Sequence, residues 1–180
     1  MMRPLVTFVS KYEVERLTPT GRHHLISISD APDDQAQIDE GVWASVSRHY
    51  FIDAGLDEVA LEMYAFEGKR FELRYRDYLL EHRAKDLRFR VAEITALGEP
   101  IVVNCHAGRS RSAAVARFIA NHHGYNLDKP TPDANEFVYR MLARDGSLML
   151  AYQRAVSDPS EETPPAKVSL VSAIKKLIGI

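Results

Sequence analysis

Cysteine is almost absent from this chain: Cys105 is the only one in 180 residues. A lone cysteine excludes an internal disulfide framework and fits a reducing compartment. The N-terminus lacks a long hydrophobic run. Leu5-Val6-Thr7-Phe8-Val9 stops at Ser10 and Lys11, too short for a signal segment or a membrane span, so a cytoplasmic protein is expected. Charge of one sign is not in excess either. Lys and Arg number 23 against 25 Asp and Glu, a net charge of −2, which gives no reason to expect nucleic acid as a partner. His23, His24 and His49 show no metal-ligand spacing with acidic or sulfur partners, and no internal repeat is visible, so neither a metal nor a cofactor is expected. What the chain does have is 46% hydrophobic residues, enough for one full core of ordinary domain size.

Strands and helices alternate along the sequence. Leu5 to Val9 reads as a first strand. Ser10-Lys11-Tyr12-Glu13 is a capping-box pattern that starts a short helix through Val14 and Leu17, broken by Thr18-Pro19-Thr20-Gly21. Leu25 to Ser29 reads as a second strand ending in the turn Asp30 to Asp34. Residues 35 to 70 give weak signals, with Tyr50-Phe51-Ile52 as a short strand and Val59 to Phe66 as a buried stretch of undecided type. Phe71 to Asp77 alternates apolar and charged residues and reads as a half-buried strand. From Leu79 to Leu97 apolar residues recur at helical spacing, and Gly98-Glu99-Pro100 ends that helix. Helices are also expected over Ala134 to Leu142 and Leu148 to Val156. Together these elements predict an α/β domain over residues 1–156, with a small, mainly parallel central sheet flanked by helices on both faces. Residues 157–166 read as a Pro-, Ser- and Glu-rich linker. Residues 167–180 follow, an amphipathic helix with Leu170, Val171, Ile174, Leu177 and Ile178 on one face. That face suits docking on its own domain, self-association or a partner.

One stretch carries chemistry. Ile101-Val102-Val103 is an apolar β-branched run leading through Asn104 into Cys105-His106-Ala107-Gly108-Arg109-Ser110-Arg111-Ser112, and the helix-forming run Ala113 to Ala120 follows. A strand–loop–helix turn aims successive backbone N–H groups into one concavity, with the helix N-terminus adding partial positive charge. Such a nest binds a dianionic phosphate and stabilises a thiolate. Gly108 lets the backbone curl closely round an anion, and Arg111 presents a planar fork to two phosphate oxygens. Arg109, Arg111 and Arg117 make the neighbourhood locally basic.

This loop resembles the signature of the cysteine-dependent protein tyrosine phosphatase superfamily, and most closely its compact dual-specificity branch, whose loop reads His-Cys-x-Ala-Gly-x-Ser-Arg-Ser. Cys105, Ala107, Gly108, Ser110, Arg111 and Ser112 match in place, while Asn104 stands where the family has His. The resemblance implies a phosphotyrosine-phosphatase-like fold and metal-independent hydrolysis of phosphomonoesters through a cysteinyl-phosphate. Cys105 is then the nucleophile and Ser112 assists thiolate departure. Backbone groups of His106, Ala107, Gly108, Arg109, Ser110 and Arg111, with the Arg111 side chain, hold the phosphate. Phosphate or sulfate is expected in the loop, and the substrate is a phosphorylated protein or a small phosphomonoester. The family's general acid lies after a strand one helix upstream. Leu73-Arg74-Tyr75-Arg76-Asp77 resembles the end of that strand, so Asp77 is the expected acid, with Asp57, Glu67 and Asp86 as rivals. Asn135 resembles the asparagine of the family's Pro-Asn segment behind the active site. The alternative function is a phosphate-recognition module, a pseudophosphatase, with little turnover.

Overall fold

The structure, a computed structural model, describes residues 3–158. The tail, residues 167–180, and most of the linker therefore lie outside the described residues.

Five strands form one sheet in the order β3-β2-β4-β1-β5: β1 (Leu5–Ser10), β2 (His24–Ser29), β3 (Ser45–Tyr50), β4 (Ile101–Cys105) and β5 (Asn126–Leu127). Every pairing is parallel. Parallel strands need crossovers, and among the described residues seven α-helices occur in the connections and after β5: α1 (Lys11–Val14), α2 (Glu58–Glu62), α3 (Lys69–Arg74), α4 (Glu81–Thr95), α5 (Arg111–His123), α6 (Glu136–Ala143) and α7 (Gly146–Val156). None of the described helices is long and apolar enough to cross a membrane.

The strand β4 sits in the middle, between β2 and β1, and all five of its residues are buried. This is why it reads as a continuous apolar run rather than an alternating one. Its two faces serve two cores. Ile101, Val103 and Cys105 join the large cluster that also takes residues of α4, α5, α6 and α7. Val102 belongs to the smaller cluster with Val14, Leu25, Ala36 and Trp43 on the opposite face. The first turns of α5 are buried from Arg111 through Ala116. Small side chains at Ser112, Ala113, Ala114 and Ala116 let this helix lie close to the sheet. Gly124 closes it in the left-handed conformation, φ 73°.

Two expectations are corrected. Residues 71–77 are not a strand: α3 covers Lys69–Arg74. The apparent alternation of Phe71, Leu73 and Tyr75 conceals a helical pair. Phe71 is fully buried and Leu73 is 71% exposed. Phe71 and Tyr75, four residues apart, bring their rings to 4.9 Å in a cluster with Tyr64, Tyr78 and Tyr152. The strand expected at Tyr50-Phe51-Ile52 lies earlier, at Ser45–Tyr50. As the edge of the sheet it is half-buried throughout, so Ser45, Ser47, Arg48 and His49 are tolerated there and mask the pattern. The undecided stretch 59–66 opens with α2, capped by Asp57.

Candidate functional site

All strands run the same way, so the loops after β1, β2, β3 and β4 gather at one end of the sheet, where ligands of open α/β folds bind. The turn from β4 into α5 occupies the centre of that end. Gly108 has φ +69°, and a Cβ there would fall inside the backbone of Val9 and Ser10. Only glycine fits, because the loop is pressed against the junction of β1 and α1. The Lys11 N–H donates to the His106 carbonyl at 3.2 Å from the same junction. That junction is itself rigid: Ser10 and Glu13 form the reciprocal capping box expected from the sequence. The Ser10 backbone N–H is the main group that holds the Glu13 carboxyl below its ordinary value.

The Cys105 side chain is 1% exposed, with Sγ 3.1 Å from Ser112 Oγ. Arg111 is 3% exposed. One of its terminal nitrogens donates to Asp30 at 2.6 Å and to the Phe51 carbonyl at 2.5 Å. Its Nε is buried and has no partner among the described residues. A guanidinium held from one side while another donor stays unused is set up to receive an oxyanion. His106, Ala107 and Arg109 are exposed, and Gly108 and Ser110 are half-buried. The Tyr12 ring meets His106 edge-on at 6.2 Å.

The chain thus brings Cys105, Ser112, Arg111 and the loop 106–110 together. Asp77 stands apart. Its carbonyl accepts the Ile52 N–H at 2.8 Å, which sets its backbone beside the segment after β3. Its carboxylate is 60% exposed and lies 3.8 Å from Arg76. Asp57 is occupied as the cap of α2, accepting from Ala60 at 2.8 Å. Glu67 lies 3.6 Å from Arg74, and Asp86 is an exposed residue of α4 in the recess beside His49.

Two acids that the sequence did not single out meet the loop instead. Asp30, just past β2, holds Arg111. Asp53, just past β3, accepts at Oδ1 from Ser110 Oγ at 2.7 Å and from Asn135 Nδ2 at 2.9 Å. Correct placement of β3 would have put Asp53 in the segment just past its end, next to the end of β2 that Asp30 follows. Asn135 has two jobs. It caps α6 by accepting from Val138 at 3.0 Å, and its own N–H donates to the Ser110 carbonyl at 3.2 Å. Behind the loop, Asn104 is 1% exposed and neither polar atom of its amide has a partner among the described residues.

A cysteine beside a hydroxyl, a buried arginine with an unused donor, a curled backbone at a helix start and a carboxylate on the rim suit capture of a tetrahedral anion and attack on it. No protein-family model, curated protein or solved structure matches the chain.

Proposed function

We propose that the protein hydrolyses phosphomonoesters through a cysteinyl-phosphate, as a tyrosine or dual-specificity type of phosphatase. The observation that carries this reading is Arg111: fixed by Asp30 and the Phe51 carbonyl, buried, and left with Nε unpaired beside the cysteine loop. The phosphate sits on the N–H groups of residues 106–111 and on that donor. The Cys105 thiolate attacks phosphorus, forming the S–P bond as the P–O bond to the leaving group breaks. Arg111 and the backbone donors stabilise charge on the equatorial oxygens. Water then attacks the phosphocysteine, the S–P bond breaks, and Ser112 donates to the departing thiolate. A thiolate nucleophile must stay reduced, which accords with a cytoplasmic location for a one-cysteine chain.

For the general acid we assign Asp53 rather than Asp77. Both hydrogen bonds to Asp53 fall on Oδ1, which leaves Oδ2 to carry the proton, and its partner Ser110 is part of the loop. The test compares Asp53→Asn and Asp77→Asn on two leaving groups. Nitrophenolate departs without help, whereas a tyrosyl oxygen needs a proton. Loss of the true acid lowers kcat on phosphotyrosine by about 10²–10⁴-fold and on nitrophenyl phosphate distinctly less. Asp53→Asn is expected to show this split, and Asp77→Asn to show none. The reverse moves the acid to Asp77. Rapid acid quench and mass spectrometry on the wild type should trap phosphate on Cys105. Anion binding without a trapped phosphocysteine would make the chain a phosphate-recognition module instead.

A further inference from the structure

Among the described residues, β3 pairs only with β2 and leaves its other edge without a strand. The helix α4 packs on the face of the sheet, its apolar side in the core with β4, and two recesses lie between it and the edge strand β3. One, about 200 Å³, is lined by His49, Phe51, Leu79, Arg83 and Asp86. The other, about 160 Å³, is lined by His24, Ser45, Arg90, Glu93 and Leu97. Arg83, Asp86, Arg90 and Glu93 follow one another at steps of three, four and three residues, so they share one face of α4 and alternate in sign. Arg90 and Glu93 meet at 3.2 Å but stay 31% and 47% exposed.

Opposite them, Ser45, Ser47 and His49 are alternate residues on one face of β3. Ser47 Oγ lies 2.7 Å from His49, and Ser45 Oγ lies 2.7 Å from His24. No large apolar side chain on this face of β3 seals the helix down, and the result is a polar groove between that face and α4, next to the free edge of the strand. Such an edge is a row of backbone donors and acceptors that pairs with any extended chain offered to it. Arg83 caps only the Tyr50 carbonyl. The upper end of the groove leads to the phosphate loop, since the Phe51 carbonyl binds Arg111 and Asp53 binds Ser110.

We propose that a phosphorylated polypeptide docks in extended form along the outer edge of β3, adding a strand to the sheet and delivering its phosphorylated side chain to the loop after β4. This rests on the reading of that loop as a phosphomonoesterase site, and it names the substrate class as a peptide rather than a small phosphomonoester. The charged face of α4 extends about 15 Å. Same-face residues of a strand repeat every ~6.6 Å, so about three of them lie under it. Acidic side chains are favoured opposite Arg83 and Arg90, and basic ones opposite Asp86 and Glu93.

The test uses three substrates: nitrophenyl phosphate, phosphotyrosine amide, and a phosphotyrosyl peptide of alternating Glu and Lys long enough to cover β3. The wild type should hydrolyse the peptide with kcat/KM at least about tenfold above that for phosphotyrosine amide. The double reversal Asp86→Lys with Arg90→Glu should remove that gain and leave nitrophenyl phosphate turnover unchanged. In Cys105→Ser, hydrogen exchange should slow at β3 amides when the peptide is added. Equal kcat/KM for peptide and amide, or equal losses on all three substrates in the double variant, overturns the groove as a docking site. Absence of turnover on nitrophenyl phosphate in the wild type overturns the phosphatase reading alone, and exchange at β3 then decides the groove by itself.

Discussion

At the scale of single residues, Arg111 separates anion binding from general positive charge. One terminal nitrogen donates to Asp30 and to a backbone carbonyl, while Nε, a separate nitrogen fixed in the same plane, keeps its donor; an ammonium has no second nitrogen to offer. Arg111→Lys retains the charge in a nearly inaccessible place but loses the fork. Affinity for vanadate or sulfate should fall by roughly tenfold or more, measured by inhibition and calorimetry. Unchanged affinity would locate the anion elsewhere. Asn104 is the other notable residue. A buried amide with no partner on either atom carries a desolvation cost of about 1–3 kcal/mol for each unpaired group, directly behind the cysteine and in the position where the resembling family has His.

Among elements, the junction of α6 with the loop after β3 is the informative one. Asn135 both caps α6 and binds Asp53, so two substitutions part the roles. Asn135→Ala removes the cap, at a cost of about 0.5–2 kcal/mol, and Tm should drop by a few degrees. Asn135→Asp preserves an acceptor for Val138 but removes the amide donor and sets a like charge against Asp53. Its Tm should stay near the wild type while kcat falls. A parallel fall of both quantities in Asn135→Asp would reduce Asn135 to a cap.

The same element shows why some of the molecule was legible and some was not. The run from Ile101 to Ala120 declares itself because strand, turn glycine and helix are each locally consistent, and their residues meet in space in the order they occur in the chain. Residues 71–77 mislead because three apolar residues at a spacing of two also contain a pair at a spacing of four, and burial of Phe71 with exposure of Leu73 is decided by α7 far along the chain. β3 is hidden by its own polarity, and with it Asp53. Asp30 and Asp53 reach the site only because the sheet brings distant strand ends side by side, which no local pattern records.

At the scale of the whole molecule, two titrations act on stability in the same direction. Burial pushes the His49 pKa from 6.5 down to about 4, with Asp86 and Arg90 as the charges facing it. The unfolded chain takes up that proton near 6.5, so stability declines as pH falls from there toward 4. Glu58 is held down from 4.5 to about 2, first by Arg140 and then by Ser147. Its contribution is complete above about 4.5 and is lost as pH falls toward 2. Tm should therefore decrease in two stages below pH 6.5. His49→Gln flattens the upper stage and Glu58→Gln the lower, as calorimetry against pH would show. A single stage unaffected by either variant would remove both groups from the account.

The gathering of strand ends has a consequence for folding. Ser10, Asp30, Asp53, Cys105 and Asn135 come from segments spread over most of the chain, yet all touch or flank one small loop. Such contacts are far apart in sequence, which slows folding relative to helical bundles. On the proposed phosphate site, no partial assembly would hold the anion. Added phosphate would then shift the population toward the complete sheet by mass action, as RT ln(1 + [L]/Kd), and a rise of Tm with phosphate concentration would report the folding of the entire domain.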